Sequence, residues 1–182
     1  MSSAVQKDFF NKINDLESFI KDNGMDKIIS EKSLAIIEKN AKEIWVFTKD
    51  LKNDVPDKEN TSGQTIAKAV ENNLKNGKKY IYFVPDTTRG KINDYRSKYK
   101  SFVTNAEQVK FVIVKHEYFQ FPSETAFYDP YETHEDIAQV VQFFPDDKVN
   151  YYIGYADNYQ SEFFGKASWL LKNDQITEIE YF

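Results

Sequence analysis

The sequence predicts an α/β protein in which a mixed, mostly parallel sheet is flanked by helices and preceded by an N-terminal helical appendage. Three short runs, 43–48, 79–84 and 109–114, are dominated by β-branched and aromatic residues, which is typical of strands buried on both faces. Helical periodicity lies between them, in 64–76 and 88–102. Strands that alternate with helices in this way predict βαβ units with parallel neighbouring strands.

The N-terminal segment is interpreted as an appendage: residues 1–29 hold an amphipathic helix and a linker, and residues 30–182 form a single α/β domain. Apolar side chains recur every three or four residues over 4–23, and Asn23-Gly24 is typical of a helix C-terminus. We expect this stripe to form a homodimer or to contact a protein partner. The alternative is that the helix covers its own domain. The candidate interface residues are Phe9, Phe10, Ile13, Leu16 and Ile20.

Three further helices are predicted inside the domain because apolar residues share one face of each. The first covers 30–41, where Ser30 or Ser33 can cap the N-terminus. The second and third cover 64–76 and 88–102. Their inward side chains are Leu34, Ile37 and Ala41 in the first, Ile66, Ala69, Val70 and Leu74 in the second, and Ile92, Tyr95, Tyr99 and Phe102 in the third.

The C-terminal third predicts an antiparallel extension of the sheet. A short segment at 126–130 precedes two strands, 137–144 and 149–155, with a turn at Pro145-Asp146-Asp147 between them. Residues 158–172 are predicted to be helical. A weak terminal strand or tail carries Ile176, Ile179 and Phe182.

Composition and charge exclude several classes of protein. Aromatic residues make up 16% of the 182 residues, which excludes disorder for most of the chain. Cysteine is absent, so disulfides and thiolate chemistry are excluded. The net charge is −5 and only Arg89 and Arg96 are arginines, which disfavours nucleic acid as a partner. We find no apolar run long enough for a membrane span and no signal peptide, and we expect a cytoplasmic protein.

Motifs for cofactor or nucleophilic chemistry are absent from the sequence. No P-loop, GxGxxG fingerprint or GxSxG elbow occurs. The two histidines, His116 and His134, stand alone in polar segments, whereas zinc takes three or four well-spaced His or Cys ligands. We therefore expect no metal site and no cofactor.

Polar side chains follow each of the three predicted parallel strands. In open α/β sheets, ligands bind beyond the carboxyl ends of the strands, so these side chains are the candidate binding residues. Arg89 is the expected anion contact. The alternative is that a solvated loop after any buried strand must be polar. The candidates are Asp50, Asn53, Asp54, Asp86, Arg89 and His116.

Residues 43–54, the helix end at 73–77 and the strand at 79–85 resemble the opening of a phospholipase D-like domain. They are most similar to small bacterial relatives of that fold in uncharacterised, regulatory or defence-associated proteins. The later segments 127–130 and 149–153, followed by the helix that bears Trp169, are similar in order to the second part of such modules. The resemblance covers roughly residues 30–175 and implies the phospholipase D-like fold.

The resemblance does not extend to catalysis. Active members carry His-x-Lys-x4-Asp, in which the His attacks phosphorus and the Lys holds phosphoryl oxygens. Here Tyr118 lies two residues after His116, and Asp136 two residues after His134, so no catalytic residue carries over. We therefore expect a binding or regulatory module and not an enzyme. Two alternatives stay open: a metal-dependent phosphodiesterase or nuclease that uses the strand-end carboxylates, and a sensor of a small nucleotide or metabolite.

Overall fold

A computed structural model describes residues 28–29, 31–56, 64–119, 124–130, 138–143, 150–155 and 165–182. The predicted helix at 4–23, its candidate interface residues and His134 lie outside this set. The described residues include eight strands: β1 (Ile28–Ile29), β2 (Glu43–Phe47), β3 (Lys79–Pro85), β4 (Val109–Val114), β5 (Thr125–Tyr128), β6 (Ala138–Phe143), β7 (Asn150–Tyr155) and β8 (Thr177–Tyr181). They form one mixed sheet in the order β1-β7-β6-β5-β2-β3-β4-β8. The helices are α1 (Glu31–Asn40), α2 (Gln64–Lys75), α3 (Arg89–Tyr99) and a short helical segment, α4, at 165–170.

The parallel centre of the sheet confirms the predicted βαβ units. β2 pairs in parallel with β3, and β3 with β4, so that Trp45 lies beside Ile81 and Ile81 beside Lys110. α2 and α3 provide the two connections. β2 lies between β3 and β5, and Trp45 is 0% exposed. The predicted interior position of strand 43–48 is therefore confirmed.

The expectation of a mostly parallel sheet is wrong. Of the seven strand pairings among the described residues, two are parallel and five are antiparallel. β5, β6 and β7 follow one another through connections shorter than the dozen or so residues that a parallel crossover needs, so they pair as antiparallel neighbours beside β2. β8 adds antiparallel to the other side, against β4. Ile28–Ile29, which fall in the segment interpreted as a linker, form β1 and pair with β7.

Apolar cores cover both faces of the central strands β2 to β5. On one face α1, α2 and α3 pack over β2, β3 and β4, with the predicted inward residues of each helix buried or packed against the core. On the other face α4 packs over an aromatic group in which Phe47 stacks on Phe83, with ring centroids 4.3 Å apart. No helix in the described part of the chain is long and apolar enough to cross a membrane.

An aspartate fixes the junction between β5 and β2. Asp129 follows β5 with a left-handed φ of 52°, a conformation that Asp and Asn adopt more readily than most residues. Its Oδ1 accepts hydrogen bonds from the backbone N–H groups of Lys42, at 2.6 Å, and Glu43, at 3.0 Å. The start of β2 is thereby attached to the end of β5.

Candidate functional site

A pocket opens at the carboxyl end of β2, between α1, α2, the loop after β2 and β5. About 460 Å³ of space lies between these elements, a figure that includes open solvent. Apolar side chains form most of its wall and three carboxyl groups interrupt it. We call it the acid pocket; its lining residues are Leu34, Glu38, Val46, Asn53, Asp54, Ile66, Glu124, Thr125, Ala126 and Tyr128.

Strand direction explains why two distant loops meet here. β2 and β5 are antiparallel, and Phe47 at the end of β2 lies beside Thr125 at the start of β5. The residue before β5, Glu124, therefore meets the loop after β2. Glu124 Oε1 accepts from the Thr48 hydroxyl at 2.5 Å, and its Oε2 accepts from the Asn53 amide at 2.8 Å.

Asp54 enters the acid pocket from the loop after β2. Its residue exposure is only 5%, and its Oδ1 accepts from the Tyr82 hydroxyl at 2.6 Å. The Asp54 backbone carbonyl accepts from the Tyr99 hydroxyl and, at 2.9 Å, from Lys98 Nζ. Burial raises the pKa of Asp54 to about 6 although Tyr82 and Lys98 favour the charged form.

Glu38 approaches from α1 and is 4% exposed. The Tyr80 hydroxyl donates to Glu38 Oε1 at 2.8 Å. The Asn73 amide donates both to the Tyr80 hydroxyl oxygen, at 2.8 Å, and to the Glu38 backbone carbonyl, at 2.9 Å. Burial, followed by the charge of Asp54, raises the pKa of Glu38 to about 8. This network joins α1, α2 and β3 beneath the pocket.

Glu124 completes the set of three carboxyl groups. Burial, together with the nearby charges of Asp50 and Asp54, raises its pKa to about 7. At neutral pH the three groups therefore share protons and negative charge. Such groups can donate or accept hydrogen bonds and can neutralise a cation. Among the residues that the structure describes, no group of three or more His, Asp or Glu side chains is arranged to hold a metal ion.

The six predicted binding residues separate into two places. Asn53 and Asp54 line the acid pocket. Asp50 lies beside it, close enough for its charge to raise the pKa of Glu124, and also pairs with Lys52 at 2.8 Å.

The other three candidates lie at the ends of β3 and β4, away from the lining of the acid pocket. His116 Nδ1 is 3.5 Å from Asp86 Oδ1 and 3.4 Å from Glu117 Oε2, on an exposed surface. Arg89 forms ion pairs with Glu178 and, at 2.8 Å, Glu180 of β8. The guanidinium predicted to contact an anion thus connects α3 to the edge of the sheet.

Sequence reasoning missed two of the three pocket carboxyl groups. Glu38 had a readable signal, because it lies four residues after Leu34 and next to Ile37, on the buried side of its helix. A carboxylate on an apolar face is a known mark of a functional group. Glu124 had no such signal in the sequence, because it reaches the pocket only through the pairing of β5 with β2.

Comparison of the sequence with profiles of known protein families and with curated proteins found no match.

Proposed function

We propose that the chain is a non-catalytic binding module, on a phospholipase D-like scaffold, that takes a small ligand in the acid pocket. The observation that carries this proposal is the convergence of three carboxyl groups on one pocket, the buried Glu38 and Asp54 and the partly exposed Glu124. They come from a helix, a loop and the residue before a strand, more than 80 positions apart at the extremes.

The composition of the pocket supports binding of a small molecule. Ligand sites are concave and largely apolar, with a few placed polar groups that orient the ligand. The acid pocket has this character, since Leu34, Val46 and Ile66 lie beside the carboxyl groups. Burying a carboxylate is unfavourable, and raised pKa values of this kind concentrate at functional sites.

The position of His116 supports binding without histidine chemistry. Its side chain is 68% exposed and contacts Asp86 and Glu117, and it does not line the acid pocket. The residue two places on is Tyr118, so no lysine clamp for phosphoryl oxygens accompanies it. A phosphoryl-transfer site of the His-x-Lys type needs both groups together.

A pocket-filling variant tests the proposal. Ala126 lines the acid pocket, so Ala126→Leu should occupy part of it, whereas Ala106→Leu adds the same volume at an exposed position. We expect at least one member of a panel of cationic, neutral and anionic metabolites to raise the Tm of the wild type and of Ala106→Leu, but not of Ala126→Leu.

The same proteins are assayed with bis(p-nitrophenyl) phosphate in Mg²⁺ or Mn²⁺, and we expect no turnover. Metal-dependent turnover that Asp54→Asn abolishes would favour the phosphodiesterase alternative and overturn the proposal. A panel that leaves the wild-type Tm unchanged would overturn it as well.

A further inference from the structure

We infer that the ligand of the acid pocket is a small organic cation, with an ammonium group that meets the carboxyl groups and a short apolar part that contacts the wall. This inference rests on the proposed binding function and specifies its ligand class.

The charges around the pocket favour a cationic ligand over an anionic one. Its described lining holds three acidic side chains and no basic one. The nearest lysines are engaged at its margin: Lys98 Nζ donates to the Asp54 carbonyl at 2.9 Å, and Lys78 Nζ donates to the Lys39 carbonyl. An anionic ligand such as a nucleotide phosphate would meet uncompensated negative charge. A cation would neutralise it in a site of reduced solvent exposure, where charge interactions are strong.

The carboxyl groups of the pocket can accept further hydrogen bonds, which favours a ligand with N–H donors. Within the described part of the chain, the one side-chain hydrogen bond to the Glu38 carboxyl is that from the Tyr80 hydroxyl to Oε1. For Asp54, Tyr82 is the only side-chain donor within these residues. A carboxylate can accept about four hydrogen bonds, so both side chains, once ionised, keep acceptor positions for N–H groups of a ligand. Charge-assisted bonds of this kind are the strong ones.

The apolar wall of the pocket favours a ligand that carries an apolar part beside its ammonium group. Leu34, Val46, Ile66 and Ala126 provide apolar surface next to the carboxyl groups. A hydrated metal ion or free ammonium leaves that surface without a partner. An alkylammonium ion buries it, and each methylene transferred from water to this surface favours binding.

Binding of a cation is expected to be coupled to proton release. The charged form of each carboxyl is the form that attracts the ligand, so affinity should rise with pH as these groups ionise. The groups that influence the titration of the three carboxyls are Asp50, Lys78, Tyr80, Tyr82 and Lys98, together with the carboxyls themselves.

Three probes of similar size separate charge from shape: n-butylammonium, 1-butanol and butyrate, measured by thermal shift and ligand-observed NMR at pH 6 and pH 8. We expect n-butylammonium to bind at least about tenfold more tightly than 1-butanol at pH 8, butyrate not to bind, and the preference to shrink at pH 6. Asp54→Asn and Glu124→Gln should each weaken the cation by about tenfold. Glu107→Gln, at an exposed position, is the matched control and should not.

Each contrary result has a distinct meaning. If 1-butanol or butyrate binds as tightly as the cation, the ligand class is wrong while the pocket remains a binding site. If the cation binds the wild type and both variants equally, it binds elsewhere and the inference fails. If neither variant folds, the pH dependence of the wild type decides, and an affinity independent of pH overturns the inference. If no probe and no member of the metabolite panel binds, the proposed function fails too.

Discussion

Replacement of Glu38 by Gln should remove much of the pH dependence of folding stability between pH 5 and pH 7. The Glu38 side chain is buried, and its pKa rises from 4.5 to about 8 on folding, mainly through burial. In this range the folded protein holds a proton that the unfolded chain releases. Stability from this group is fully present below pH 4.5 and is lost as pH rises towards 8. Gln keeps a carbonyl oxygen that can accept from the Tyr80 hydroxyl.

Proton linkage gives the size of the expected difference in stability between the wild type and Glu38→Gln. Where the folded group is protonated and the unfolded group is ionised, the free energy of unfolding falls by about 1.4 kcal/mol per pH unit. Between pH 5 and pH 7 the wild type should therefore lose about 2–3 kcal/mol more than Glu38→Gln. Asp54 and Glu124 titrate in both proteins, so the difference between the two curves reports Glu38 together with its coupling to Asp54.

Urea unfolding at half-unit pH intervals measures this difference. Trp45, which is 0% exposed, supplies a fluorescence signal from the apolar core between α4 and the sheet. Glu107→Gln removes the same charge at an exposed position and should follow the wild-type curve. Parallel stability curves for wild type and Glu38→Gln would refute the reasoning, because they would mean that Glu38 titrates alike in the folded and unfolded states.

Other variants test the junction, the core and the histidines. Asp129→Ala should lower the free energy of unfolding by about 2–4 kcal/mol, because two backbone N–H groups lose a charged acceptor. A change below about 0.5 kcal/mol in urea unfolding would contradict this prediction. In the same assay, Phe47→Ala should lower the free energy of unfolding by about 3–5 kcal/mol. Replacement of the exposed Tyr118 by Ala should change it by no more than about 0.5 kcal/mol. Equal losses of stability in the two variants would argue against the aromatic core. His116→Ala and His134→Ala should leave any phosphodiesterase activity unchanged, and a loss above about tenfold for either would contradict the missing nucleophile.

The parallel centre could be predicted because its signal is local. A strand buried on both faces is apolar along most of its length, and 43–47, 79–85 and 109–114 show this with one charged residue each. The intervening helices show their buried faces at helical spacing. Both properties belong to neighbouring residues and need no knowledge of the rest of the chain.

The arrangement around that centre could not be predicted in the same way. The register of β5 against β2 and the position of β8 beside β4 join residues 63 to 84 positions apart, and local periodicity carries no information on such pairings. The site depends on the same pairings. Asp54 was identifiable from its place after a strand, whereas Glu124 became a pocket residue only through the antiparallel contact with β2.

The position of β8 has a consequence for the chain during synthesis. β4, Val-Lys-Phe-Val-Ile-Val, is complete at residue 114, but its outer neighbour spans Thr177–Tyr181. Until that strand is made, an apolar β4 can present an unpaired edge, which is a template for aggregation between chains. β8 replaces that edge with a strand bearing Glu178 and Glu180, both paired with arginines of α3. Products that stop before residue 177 should therefore accumulate in the insoluble fraction.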